Sequence, residues 1–274
     1  MNSDITPSNC EDCPAHHLAN LKKLGVEMGK YDYVIALAGN PNTGKSTVFN
    51  QLTGLRQHTG NWPGKTVARA EGGFSYQETH YKVVDLPGTY SLLSTSTDEE
   101  IARDFILFGQ PDVTVVVVDA SRLERNLNLV FQVLEITDRA LLCLNLMDEA
   151  KRHNLTVDHR RLARDLGIPV VPTIARQGEG IPLLTKMITE IATGQLSIYP
   201  KRIQSEPPTL KRAIHLLVKK LETVFPGLPN ARWVALRLLE GDRKIEEEVR
   251  SGRLGNLMTG SLSTEGEITR KVIR

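Results

Sequence analysis

Residues 39–46 read Gly-Asn-Pro-Asn-Thr-Gly-Lys-Ser, two glycines separated by four residues and followed at once by a lysine and a hydroxyl. That spacing suits phosphate. Glycines let backbone amides turn inward around phosphate oxygens, the start of the next helix adds positive potential, Lys45 reaches the outer phosphates and the Ser46 hydroxyl faces Mg2+. Gly39, Asn40, Pro41, Asn42, Thr43, Gly44, Lys45, Ser46 and Thr47 are therefore the expected phosphate-binding residues. A glycine-rich turn alone would be weak, but an apolar strand enters this one and 46–52 leaves it as a helix, the context of a Walker A loop.

Further along, Asn145-Leu146-Met147-Asp148 follows an apolar run. A carboxylate there accepts both the ring N–H and the exocyclic amine of guanine, whereas adenine offers no matching pair of donors. Thr173-Ile174-Ala175 supplies a second base-contacting loop. Two more stretches are placed to report on a third phosphate. Asp85-Leu86-Pro87-Gly88 ends a strand, with Asp85 holding Mg2+ through water and the Gly88 amide meeting the γ-phosphate. Thr66, at the end of the flexible stretch that includes Gly64 and Lys65, is the second Mg2+ hydroxyl. Both loops would order with triphosphate and relax after hydrolysis.

These residues need a scaffold, and the apolar pattern predicts one. Strands are expected at 33–38, 81–85, 113–119, 140–145 and 168–172, with 68–76 as an antiparallel edge strand. Leu123, Leu127, Val130 and Leu134, and then Leu184, Met187, Ile188 and Ile191, recur at helical spacing. The fold class is α/β: a Ras-like P-loop domain with a mostly parallel six-stranded sheet and helices on both faces, followed by a small all-helical domain. Thr97 with Glu100 reads as a capping box that opens a helix. Gly194, Tyr199-Pro200 and Pro207-Pro208 mark a linker, so the expected divisions are a tail at 1–30, a nucleotide-binding domain at 31–195 and a helical domain at 196–274. The last nine residues read as an amphipathic helix cut short, as in a truncated chain.

A net charge of +2 over 274 residues gives no reason to expect nucleic acid. Lys211, Arg212, Lys219 and Lys220 read as a solvated helix face. The three cysteines make no disulfide framework and suit a reducing compartment. No apolar run is long enough to cross a bilayer. Cys10, Cys13, His16 and His17 are either half of a zinc or iron site or a reduced tail; four ligands would have to come from one short segment that Pro14 restricts.

Taken together, GNPNTGKS, GNWPGKT, DLPGTYSL, NLMDEA and PTIARQGEGI resemble the amino-terminal cytoplasmic G domain of bacterial ferrous-iron transport protein B, specifically over 33–193 and by arrangement over 200–274. The resemblance implies GTP binding, slow hydrolysis to GDP, and a helical domain that modulates nucleotide release. Its implied partners are guanine nucleotide and the membrane-embedded Fe2+ permease region of the same full-length protein in the bacterial inner membrane, with a homo-oligomer left open. It assigns Ser46 and Thr66 to Mg2+, Gly88 to the γ-phosphate, and Asn145, Asp148 and Thr173, Ile174, Ala175 and Arg176 to guanine. Two departures from the general G-protein pattern stand out. Leu146 replaces the usual lysine, which predicts modest nucleotide affinity, and Thr89-Tyr90 stands where a water-orienting glutamine is usual. In the potassium-activated G proteins that this sequence resembles, an asparagine at the place of Asn42 helps hold K+ beside the phosphates; the other reading of Asn42 is a residue tolerating an awkward loop dihedral. The rival class is a soluble potassium-activated GTPase of the ribosome-assembly or tRNA-modification type.

Overall fold

The computed structural model describes residues 14–55, 57–93, 96–202, 207–226, 228 and 230–252. Helix α1 (Pro14–Lys23) opens the described chain, so the stretch expected as a tail contains a helix, and Leu21 on it is fully buried. Cys10 and Cys13 lie outside the described residues, as do the side chains of His16 and His17. The closing amphipathic segment lies outside them as well.

Next come β1 (Tyr33–Gly39), α2 (Lys45–Thr53), β2 (Gln57–Asn61), β3 (Ala68–Tyr76), β4 (Thr79–Asp85), α3 (Thr97–Phe108), β5 (Val113–Asp119), α4 (Leu123–Ile136), β6 (Ala140–Asn145), α5 (Met147–Arg152), α6 (His159–Leu166), β7 (Val170–Pro172) and α7 (Ile181–Ala192). Among the described residues, seven strands form one sheet in the order β2-β3-β4-β1-β5-β6-β7. This corrects the expected count of six. The additional strand, β2, reads Gln-His-Thr-Gly-Asn and has no apolar alternation to announce it; backbone pairing with β3, from Gln57 opposite Gly72 to Asn61 opposite Ala68, makes it a strand. β3 is antiparallel as expected, but β2 takes the edge.

β1 lies at the centre, parallel to β4 on one side and to β5 on the other. From β1 the chain crosses to the far edge at β2 and works back inward through β3 and β4, then switches to the other side of β1 and builds outward through β5, β6 and β7. That reversal opens a crevice at the carboxyl end of β1, where ligands of such sheets bind. The interior strands are buried on both faces, from Val34 through Gly39 in β1 and across all of β6, which is why they read as unbroken apolar runs. Val48, Phe49 and Leu52 of α2, with Leu184, Ile188 and Ile191 of α7, form one core with Ile35, Leu37, Val115 and Cys143. α4 packs on β5 and β6 and also against α3.

α3 begins at the expected place with a different cap. The Ser96 hydroxyl accepts the Glu99 amide at 3.2 Å, so the capping pair falls one residue before Thr97 and Glu100. Glu100 is thereby released for another contact. The first turn carries Asp98, Glu99 and Glu100, each favourable to the positive end of the helix dipole.

The described residues divide into two compact units: those of 28–202, and a second that combines those of 14–27 with those of 207–252. In the second unit, α8 (Pro208–Val224) packs on α9 (Ala231–Leu239), and α9 on α10 (Arg243–Arg250). Asn230 caps α9 and Asp242 caps α10. Ile214, Leu221, Trp233, Ile245 and Val249 are buried, while Lys211, Arg212, Lys219 and Lys220 are exposed. No described helix is long and apolar enough to cross a membrane.

Candidate nucleotide site

The loop between β1 and α2 lines a pocket of about 440 Å3 walled by Asn40, Pro41, Asn42, Gly44, Lys45, Ser46, Thr47 and Gly88. Its two glycines are required sterically. A Cβ on Gly39 would come within 2.5 Å of the Val117 carbonyl, and one on Gly44 within 2.4 Å of the Asn145 amide nitrogen. Gly44 also has φ +80°, where side chains are strained. The loop is braced internally by the Thr43 hydroxyl, which donates to the Asn40 carbonyl at 3.0 Å.

Parallel pairing places Asp85 opposite Leu37 at the end of β4, so the segment after it crosses the phosphate loop. The Leu86 amide donates to the Leu37 carbonyl at 3.0 Å and the Thr89 amide to the Gly39 carbonyl at 3.2 Å. Gly88 sits against Pro41, its Cβ position 3.4 Å from the proline backbone. Asp85 pairs directly with Lys45. Burial pushes the Asp85 carboxyl above the ordinary range, and the Lys45 ammonium opposes that shift. The two groups expected on the outer phosphates and on the metal therefore satisfy each other in this structure.

Asn145 ties the loops together. Its Nδ2 donates to the Thr43 carbonyl at 3.0 Å, and its Oδ1 accepts from the Ala175 amide at 3.0 Å and from the Thr173 hydroxyl at 3.2 Å. One buried side chain thus binds the phosphate loop to both base-reading loops. Leu146 then turns the chain from β6 into α5 with φ 61°, a left-handed backbone unusual for leucine, and Met147 and Asp148 follow in the first turn. Asp148 pairs with Arg176 through Oδ2, with Arg152 at 3.7 Å from the same oxygen; its Oδ1 is buried and has no hydrogen-bond partner. An acceptor of that kind beside Asn145 is what a purine N–H would meet, so the residues present fit guanine.

Thr66 stands apart. It is exposed and is not part of the pocket wall, because the turn joining β2 to β3 is docked on α3. Trp62 is buried edge-on against Phe105 at 5.6 Å, Arg69 lies over its ring at 5.5 Å, and Lys65 pairs with Glu100 at 3.0 Å. Asn42 has φ 64° and is exposed, so the awkward-dihedral reading describes it correctly and leaves its side chain open to the pocket. Sequence reasoning missed the anchors of the 88–93 segment: Arg125 4.4 Å over the Tyr90 ring, and Gln132 accepting the Leu92 amide at 2.5 Å. Both are long-range contacts from α4 with no local spacing to reveal them. Among the described residues, no cluster of three or more His, Cys, Asp or Glu is arranged to hold a metal ion.

A strand-loop-helix phosphate cradle, crossed by Asp85-Leu86-Pro87-Gly88 and tied to an Asn-x-x-Asp turn at a sheet reversal, defines a Ras-like G domain of the GTPase fold. Residues 33–188 match the family described as ferrous iron transport protein B, and residues 207–271 match its cytosolic helical domain. The chain belongs to that family, which does not favour the soluble ribosome-assembly or tRNA-modification reading. It is 43% identical over 212 residues to the Fe(2+) transporter FeoB of Shigella flexneri, an alignment covering 76% of this chain and 27% of the relative. The matched region is thus about a quarter of the relative's length. The cytosolic domain of L. pneumophila FeoB superposes with a TM-score of 0.72 at 33% identity, covering 87% of this chain and 92% of that one. The cytosolic domain of T. maritima FeoB in a GDP form gives 0.73 at 36%, covering 89% and 90%, and its GMPPNP form gives 0.71 at 35%, covering 88% and 90%.

Proposed function

We propose that this chain is the guanine-nucleotide switch of a membrane Fe2+ transporter, which binds GTP and hydrolyses it slowly to GDP and phosphate. One observation carries the guanine reading: the Asn145 tie holds the phosphate cradle and the base loops in one unit, with the buried Asp148 Oδ1 still lacking a partner. The T. maritima relative in its GDP and GMPPNP forms supports it.

In this reading Asp148 accepts from the purine edge and the Thr173 to Arg176 loop covers the base. Lys45 would leave Asp85 for the outer phosphates, and Asp85 together with the Ser46 hydroxyl would then be free to hold Mg2+. Thr66 joins only when the turn after β2 leaves α3, so parting of Lys65 from Glu100 accompanies triphosphate binding. The Gly88 amide reads the third phosphate. Mg2+ and K+ would supply positive charge to the developing phosphate oxygens. Neither Thr89 nor Tyr90 supplies the carboxamide of the usual water-orienting glutamine, and the Tyr90 ring lies under Arg125. Asn42, exposed at the pocket wall, takes the K+ role.

Phosphate release measured in KCl and in NaCl, for wild type and Asn42→Ala, tests the reading. Faster release in KCl that Asn42→Ala abolishes is expected; equal rates in the two salts refute the potassium role. Equal binding of ATP and GTP refutes the switch itself. Iron transport is tested in the full-length protein, where Asp148→Asn should lower GTP-dependent Fe2+ uptake.

A further inference from the structure

Asn40, the second residue of the phosphate loop, is 3% exposed. Both atoms of its carboxamide, Oδ1 and Nδ2, are buried without a hydrogen-bond partner. A primary amide carries two donors and an acceptor with two lone pairs, and burying it unmet costs stability that an apolar side chain of similar size would not. Such a group calls for an explanation, and a second arrangement in which it is used supplies one. Asn42, two residues on, is exposed and can meet an ion from solvent, whereas the Asn40 carboxamide is buried.

The segment after β4 is the one placed to move against it. The Thr89 amide is bonded to the Gly39 carbonyl at 3.2 Å, and Gly88 lies against Pro41, so residues 88 and 89 are held to the neighbours on each side of Asn40. This segment brings its own peptide N–H and carbonyl groups. It is also the segment whose Gly88 amide reads the third phosphate, so it must re-seat when triphosphate replaces diphosphate.

We infer that Asn40 is a positioning residue: its carboxamide bonds the backbone of residues 88–90 when the third phosphate is present, and so favours the triphosphate-bound arrangement. This rests on the reading of the site as a guanine-nucleotide switch. The buried amide is unmet in this structure and is used in the loaded arrangement, which makes residue 40 a weight on the balance between the two.

The test uses the chain with Asn40→Leu and, because leucine is larger, Asn40→Ala. Thermal midpoints are read without nucleotide, and dissociation constants are read for GDP and for GMPPNP. The midpoint should rise in at least one variant, and GMPPNP should weaken about five- to tenfold more than GDP, the equivalent of one lost hydrogen bond. Failure of the midpoint to rise in either variant, or equal weakening of the two nucleotides, overturns the inference. A wild-type chain that takes up neither nucleotide overturns the switch reading and this inference together, whereas normal wild-type uptake with equal weakening overturns this inference alone.

Discussion

Asn145→Ala is expected to be among the most damaging single substitutions in the sheet unit. It removes three hydrogen bonds of 3.0, 3.0 and 3.2 Å and leaves the Ala175 amide unmet in a buried position. Three bonds at about 1 kcal/mol each, with about 1–3 kcal/mol for the orphaned amide, give a loss of roughly 4–6 kcal/mol. Thr173 softens this, since its hydroxyl keeps contacts to Leu144 and Cys143. At about 2–4 °C per kcal/mol for a unit of this size, the thermal midpoint should fall by on the order of 10 °C. GDP and GTP affinity should fall together, by at least about tenfold, because cradle and base loops are no longer one body. Asn145→Asp separates the two halves of the tie: it keeps an acceptor for Ala175 and Thr173 but faces the Thr43 carbonyl with an oxygen.

Gly44 adds a second handle. A methyl group there collides with Asn145 Nδ2, so the clash part of the Gly44→Ala cost should vanish in the Asn145→Ala background while the strain of φ +80° remains. The double-mutant cycle should show coupling of about 1 kcal/mol or more. Denaturation followed by circular dichroism, together with fluorescent-GDP titration, makes both measurements. A midpoint shift below about 3 °C with unchanged GDP affinity would refute the tie, given the size expected of a broken buried network.

Asp148→Asn replaces one acceptor by a donor against the purine edge, and GDP should weaken on the order of 100-fold in direct titration, the scale at which a mispaired buried polar group discriminates. Asp158 caps α6, and its bonds from the Arg161 amide (2.9 Å) and then the Arg160 amide (3.1 Å) hold the carboxyl below its usual range. Its folded value lies below the unfolded one, so the cap stabilises at neutral pH and is lost as pH falls through the folded value; Asp158→Asn should flatten that acid limb in denaturation curves. Burial pushes the Cys143 thiol up to about 12, against a lowering bond from Thr173. In a Cys10→Ser/Cys13→Ser chain, Ellman's reagent should therefore react with Cys143 only as fast as the sheet unit opens; immediate reaction at pH 8 would show the strand core to be accessible.

The parallel core and the phosphate loop were legible because each is written locally. An apolar run such as 113–118 has few alternatives to a strand buried on both faces, and glycines around a lysine and serine between a strand and a helix constrain the backbone within a few residues. Asn145 and Asp148 could be named because they directly follow such a strand. β2 could not, since its polar residues become a strand only through the hydrogen bonds offered by β3. The cap of α3 lies one residue before the expected one because Ser96-x-x-Glu99 and Thr97-x-x-Glu100 are equally good capping patterns, and Glu100 is taken by Lys65 from 35 positions away.

Residue chemistry along the chain was enough to choose the ligand class and the acceptors for it. The position of Thr66 away from the pocket, the engagement of Lys45 with Asp85 and of Asp148 with Arg176, and the unmet amide of Asn40 came from packing. Charges and amides pair with whatever the fold brings within about 3 Å, and that distance depends on contacts between residues 28 to 40 positions apart. Local order selects which groups are available; three-dimensional proximity selects which of them are already taken.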